Sequence, residues 1–249
     1  MKSRLLRLSA WCALALALAA GTALAAEPRL HFIRPGDFNL GQILGSPPAP
    51  GSEKTRDEIG LVLERQATRT PADEARIDRE GKWSPLLFDD VLGAWFTGQN
   101  LPVTISFLDA VGRDTMDVCE AAKKKWNRPR PPAEDQRVHP SVGLPTSSSY
   151  PSGHGAYGLV LATVLGELAP DLKEPLRRRG EQIGDDRVEG GVHFPSDVEA
   201  ARTLGRAILT RLNANPEFRG NLEKAKAEFQ AVRSRLAANP VPGRVKTSP

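Results

Sequence analysis

Apolar residues recur at helical intervals along most of this chain and hardly anywhere at strand intervals, which narrows the fold more than any other feature. Between residues 101 and 126, Ile105, Leu108, Val111 and Met116 fall three to five positions apart, the repeat that gathers side chains on one face of a helix. The same spacing predicts a helix over 84–97. Ser52 followed by Glu53 and Glu58 marks a helix start with Ile59, Leu61, Val62 and Leu63 behind it, and Pro71 opens a short stretch rich in Ala, Asp, Glu and Arg. Gly153 to Leu168, Leu172 to Val188, Pro195 to about Leu212 and Pro216 to Ala237 read as four further helices, with Pro195 at a favoured first position. No sustained period-two alternation and no Asn-Gly turn suggests a hairpin. The expectation is an all-α, single-domain helical bundle over residues 52–240.

The two ends read differently. Lys2, Arg4 and Arg7, an uncharged run from Trp11 to Ala20, and Ala23-Leu24-Ala25 have the layout of a signal peptide over 1–25. The run is short for a membrane anchor, and Gly21 and Thr22 interrupt its end. Residues 26–51 hold Pro28, Pro35, Pro47, Pro48 and Pro50 and are expected to form an extended arm outside the core. Such an arm can reach a neighbouring subunit, which leaves a homo-oligomer open. Residues 241–249 read as a flexible tail.

Export and charge bound the partners. Cys12 leaves with the leader, so Cys119 remains alone and no internal disulfide supports the fold. Cys119 falls in a helical stretch and reads as a buried small apolar residue. The chain carries 34 Lys and Arg against 30 Asp and Glu, and the leader takes three of those cations and no acid. The mature protein is nearly neutral, which argues against nucleic acid or a membrane surface as partner. No other segment is long and apolar enough for stable membrane insertion. The expected location is the periplasm.

Three clusters carry chemistry. The first runs from Lys123 to Arg130-Pro131 just past a helix. The second is Tyr150-Pro151-Ser152-Gly153-His154 at the start of one. The third is Asp186-Arg187, then His193, then Asp197. Each has an ordinary structural reading: a solvated basic run, a helix cap at Ser152, a hydrogen-bonded His193, an Arg187 paired with Asp185 or Glu189. Together they fit an anion site. A phosphate monoester needs fixed cations and backbone donors for its equatorial oxygens. Lys123, Arg130 and Arg187 supply the cations, two of them planar forks. Ser152 and Gly153 sit where helix N–H groups are unpaired. A neutral His193 held by Asp197 suits a nucleophile, and His154 suits a proton donor to the departing alkoxide. His31 and His139 receive no role. No Asp, Glu and His cluster has metal-ligand spacing, so neither a metal nor a cofactor is expected, and the partners are small-molecule phosphate esters.

These residues resemble the three-part signature K-x6-R-P, P-S-G-H and S-R-x5-H-x3-D of the phosphatidic acid phosphatase and vanadium haloperoxidase superfamily. Lys123 with Arg130-Pro131, Pro151 to His154, and Arg187, His193 and Asp197 match it with the same internal spacing. Within that superfamily the chain looks most like the class A bacterial non-specific acid phosphatases. The Pro-rich stretch ending Pro47-Pro48-Ala49-Pro50-Gly51-Ser52 and the run Ser196 to Arg202 are similar to theirs. The resemblance implies an exported all-helical acid phosphatase of broad specificity. It implies phosphate ligation by Lys123, Arg130, Arg187, Ser152 and Gly153, a phosphohistidine on His193 oriented by Asp197, and acid–base work by His154. Two positions depart from the pattern. Asp186 stands where the family has Ser, and the expectation is that it points outward. Gly155 lacks the side chain often found there, which is expected to widen the pocket. A non-catalytic phosphate-binding envelope protein and a vanadate-dependent haloperoxidase are the competing readings.

Overall fold

The computed structural model describes residues 30–238. The leader read at 1–25 and the tail at 241–249 lie outside the described residues. Among the described residues the regular structure is helical: α1 (Leu40–Ile43), α2 (Glu53–Thr68), α3 (Pro71–Arg79), α4 (Asp89–Leu92), α5 (Pro102–Trp126), α6 (Pro131–Glu134), α7 (Gly153–Leu168), α8 (Lys173–Glu189), α9 (Pro195–Ala214) and α10 (Pro216–Ala238). The all-α expectation holds.

Local sequence explains most boundaries. Ser52 accepts the Thr55 N–H at the start of α2, and Thr70 with Asp73 forms a reciprocal box at the start of α3. Pro71, Pro102 and Pro195 occupy first turns, where a missing N–H costs nothing. Asn127, in the left-handed region at φ 46°, stops α5 and turns the chain towards Arg130.

Helix α7 lies at the centre and packs against α5, α8 and α9, while α10 covers α5. Val160, Leu161 and Leu165 of α7 meet Phe107, Leu108 and Val111 of α5, Leu204 and Ile208 of α9, and Phe218 and Phe229 of α10 in one continuous core. Burying each such side chain stabilises the fold by about 1.5–3 kcal/mol. Cys119 is fully buried among them and its thiol is pushed up to about 12 by that burial, in line with an inert apolar role. A smaller cluster of Ile59, Val62, Val138, Val188, Phe194 and Val198 joins α2 to the start of α9.

The seam between α7 and α8 depends on missing side chains. A Cβ on Gly158 would lie 2.3 Å from the Gly180 carbonyl oxygen, and one on Gly180 would lie 2.4 Å from the Gly158 oxygen. Only glycine lets the two backbones approach this closely. Gly155 belongs to the same packing: a Cβ there would meet Ala201 at 3.0 Å. It faces α9 and not the pocket, so the widening expected from it is not found.

Two further expectations are corrected. Residues 84–97 do not form a helix. A 3-10 turn at Pro85–Phe88 and the single turn α4 end at Gly93, whose φ of 93° no helix accommodates. The segment 26–51 is not an arm outside the core over the part described. Phe32, Ile33 and Leu44 are buried in the main cluster. The Asp114 carboxylate of α5 accepts the Phe32 and Ile33 N–H groups at 2.7 and 3.1 Å, and Tyr150 donates to the Gly45 carbonyl at 2.9 Å. Proline density signalled irregular backbone correctly, but irregular backbone can still bury its apolar side chains.

Candidate active site

Four helix ends and one loop converge on a cavity of about 800 Å³. The C-terminal turn of α5 contributes Lys123, and the start of α7 contributes Gly153 and His154. The C-terminal turn of α8 contributes Arg187, and the link to α9 contributes His193. Arg130 precedes α6. All six line the same cavity, so the three sequence clusters meet in space.

His193 is buried with both ring nitrogens engaged. Its Nδ1 lies 3.2 Å from Asp197 Oδ2 and its Nε2 lies 3.3 Å from Arg130 Nη1. An ionised carboxylate only accepts and a guanidinium only donates. The proton therefore sits on Nδ1, and the Nε2 lone pair faces the Arg130 end of the cavity. Burial, opposed by the Asp197 hydrogen bond and reinforced by Arg130, pushes the His193 imidazole down to about 4. It stays neutral through mildly acidic solution.

Asp197 is itself fully enclosed. Its Oδ2 also accepts from the Ser149 hydroxyl and the Phe194 N–H, and its Oδ1 accepts from Arg128 at 2.7 Å. Burial works against its charge, but these donors, His193 foremost, hold its carboxyl below the ordinary range.

His154 Nε2 lies 2.9 Å from the Glu80 carbonyl oxygen. A carbonyl can only accept, so Nε2 keeps its hydrogen and Nδ1 is the atom that gains or loses a proton. The ring stacks on Trp83 with centroids 3.9 Å apart. Burial first, then Arg187, lowers its pKa well below the usual histidine value. A bound phosphate dianion acts in the opposite direction.

The cations are held by hydroxyl, carbonyl and carboxylate oxygens. Lys123 Nζ donates to Ser147 Oγ at 3.1 Å and lies 3.4 Å from Glu120. Burial and the nearby Arg130 lower its pKa. Arg130 donates to the Ser147 and Val192 carbonyls at 2.8 and 2.6 Å, and burial lowers its pKa to about 10. Arg187 Nη2 donates to the Ile77 carbonyl at 2.8 Å and to Glu80 at 2.7 Å, and its Nε is buried with no acceptor among the described residues. An orphaned buried N–H is costly, and an anion in the cavity would satisfy it.

Ser152 differs from expectation. Its N–H donates to the Asp197 carbonyl at 2.9 Å and its hydroxyl accepts the Gly155 N–H at 3.3 Å. The ordinary capping role is therefore what its backbone and hydroxyl oxygen perform, and the residue does not line the cavity. The Gly153 N–H, one position inside α7, has no acceptor among the described residues and carries the helix-end contribution instead. A Cβ at Gly153 would meet Met116 at 2.7 Å.

Asp186 does not point outward. It is buried and takes a two-pronged pair from Arg76 at 2.9 and 3.0 Å. Arg76 pairs with it, and Asp186 does not line the cavity. Arg187 pairs with neither Asp185 nor Glu189 but with Glu80.

Three residues with central positions had no sequence signal. Glu80 bridges Arg187 and Arg179, the latter at 2.6 Å, and burial and the Asp186 carboxylate push it up to about 7. Arg128 joins Asp197 to Glu58 and lies over the Phe194 ring at 3.8 Å. Ser149 sits in the Ser-rich loop before the second cluster. Glu80 lies 107 positions from Arg187, and a pairing at that separation is set by how α3 docks on α8.

The comparisons agree with this geometry. A family model described as the PAP2 superfamily matches residues 111–219, which hold all three clusters. A non-specific acid phosphatase of Providencia stuartii is 30% identical over 224 residues, covering 86% of this chain and 90% of that protein. One of Salmonella typhimurium is 35% identical over 153 residues, covering 57% of this chain and 59% of that protein. An acid phosphatase of Zymomonas mobilis is 33% identical over 134 residues, or 52% and 51% of the two chains. With the signature residues assembled around one cavity and a relative matched over nearly its whole length, the chain belongs to the PAP2 superfamily, among its class A acid phosphatases.

Proposed function

We propose that the protein is an exported, broad-specificity phosphomonoesterase that works through a phosphohistidine on His193 and needs no metal. The observation that carries the reading is the His193 ring, with its proton held on Nδ1 by Asp197 and its Nε2 lone pair turned towards Arg130 in a cavity that Lys123 and Arg187 also line.

In the first step Nε2 attacks phosphorus and the bond to the ester oxygen breaks. The departing electron pair stays on that oxygen, which takes the proton from His154 Nδ1. Lys123, Arg130 and the Nε and Nη1 groups of Arg187, with the Gly153 N–H, meet the charge on the equatorial oxygens. In the second step water attacks phosphorus and gives its proton to His154 Nδ1. The P–N bond breaks, and its pair returns to His193 Nε2. Asp197 stabilises the imidazolium character that develops in each step.

Export rests on the leader-like sequence at 1–25, and a periplasmic location follows from it. No helix among the described residues is long and apolar enough to cross a membrane. The test is turnover of p-nitrophenyl phosphate by wild type and His193→Ala, with and without EDTA. The expected result is activity unaffected by EDTA, a loss of at least about 1,000-fold in the variant, and acid-quench trapping of a phosphorylated wild-type protein. Loss of turnover in EDTA with recovery on adding a divalent metal would overturn the mechanism. So would phosphate binding without turnover, which favours a binding protein.

A further inference from the structure

A phosphate group fills only a small part of a cavity of about 800 Å³, and the remainder has a distinct chemistry. Helix α5 forms one wall with Asp109, Arg113, Met116, Asp117, Glu120 and Lys123, which fall at helical spacing on one face. Lys123 stands at the phosphate end. Asp117 lies six residues back along the helix, roughly 9 Å at 1.5 Å per residue, and Asp109 lies about two turns further along the helix. Glu120 is already paired with Lys123. Asp78, Asp109 and Asp117 make no salt bridge among the described residues, and Arg113 is the cation that lines the cavity beside them. The cavity therefore runs from cationic at the Lys123 end to anionic along the rest of the α5 wall and at Asp78.

Beside Met116 over Gly153 the lining is aromatic. Trp83 stacks on His154 and tilts against Tyr157 at 5.3 Å, yet 42% of it is exposed. The buried Arg187 Nε without an acceptor fixes which end takes the phosphate. The ester's alcohol must then point outward past His154, along Trp83 and Met116 and towards the three carboxylates.

The geometry points to a leaving-group subsite selecting phosphate monoesters whose alcohol is an aromatic ring carrying a cationic group. The inference rests on the phosphomonoesterase reading above and narrows it. Trp83 offers a face to the ring, and the three carboxylates attract a cation and repel an anion there.

The test compares three esters that differ in one remote charge: 4-(aminomethyl)phenyl, 4-(hydroxymethyl)phenyl and 4-(carboxymethyl)phenyl phosphate. The methylene insulates the phenol oxygen, so the leaving groups stay similar. At pH 6.5 and low salt, kcat/KM should be about tenfold higher for the aminomethyl than for the carboxymethyl ester, and the ratio should shrink in 0.5 M salt. In the double variant Asp109→Asn/Asp117→Asn the ratio should fall towards one. A ratio is insensitive to the fraction of folded variant, and the salt dependence of wild type gives a second readout without mutation. Equal rates for all three esters in wild type, or an unchanged ratio in the variant, would overturn the subsite while leaving the phosphatase intact. No turnover of any ester by wild type would remove the parent reading and this one with it.

Discussion

In the proposed mechanism the His193 imidazole must be neutral yet able to bear charge as it reacts, and Asp197 would reconcile the two demands. It raises the His193 pKa against the stronger effect of burial, and it fixes the tautomer. In Asp197→Asn both effects go: the amide can present a donor to Nδ1 and move the proton to Nε2. Turnover should fall by about 100- to 10,000-fold, the scale of a wrong-tautomer defect. Because the carboxylate raises the imidazole's pKa, its loss should also shift the acid limb of kcat/KM to lower pH. A pH–rate profile checks the direction. Glu80 holds two other residues of the lining, gripping Arg187 with its carboxylate and His154 with its carbonyl. Glu80→Ala leaves Arg179 and Arg187 buried without that anion and should cost about 3–5 kcal/mol in urea unfolding. Inorganic phosphate should also bind more weakly as a competitive inhibitor, because Arg187 loses its anchor. The residues proposed to touch phosphate were legible because that chemistry forces residue type and spacing together. Glu80, Arg128 and Ser149 were not, since many residues and many positions could hold those ligands in place.

Helices matter here as carriers of their ends. The α7 N-terminus brings Gly153 and His154, the α8 C-terminus brings Arg187, and the register between the two helices sets how these side chains face one another. That register is fixed where Gly158 and Gly180 place backbone on backbone. Gly158→Ala should force the helices apart, since the added Cβ meets a carbonyl and not a flexible side chain. Overpacking of this kind costs about 1–3 kcal/mol, occasionally more, or roughly 2–12 °C in a melt of a domain this size. Activity of the folded fraction should fall too, which an assay corrected for folded protein by circular dichroism would separate from simple unfolding. Helix positions were largely readable from apolar spacing and from proline at first turns. Residues 84–97 were misread because their apolar positions sit at helical spacing, although Gly93 needs a backbone conformation that ends the helix. The role of Gly155 was misread for the opposite reason: a glycine's neighbours across a seam leave no mark on its own sequence.

At the scale of the whole molecule the buried site couples activity to acid stability. His193 titrates at about 4 when folded and near 6.5 when unfolded. Between those values the unfolded chain binds a proton that the folded chain does not, so stability falls as pH drops through that window. At pH 5 the penalty is up to about 2 kcal/mol, and the depressed His154 adds to it. Glu80 runs the other way. Its folded value of about 7 exceeds the ordinary carboxylate value, so between the two the folded chain binds the extra proton and stability rises as pH falls. His193 lines the cavity and Glu80 is buried against Arg187, and the two offset each other across mildly acidic pH. Removing either should unmask the other. Thermal melts at pH 7 and pH 5 should show a smaller acid-induced loss for His193→Gln than for wild type, by roughly 2–8 °C, and a larger loss for Glu80→Gln. Equal losses in all three proteins would mean that neither group's titration differs between folded and unfolded chain, and that the enclosure of the site contributes nothing to its working range.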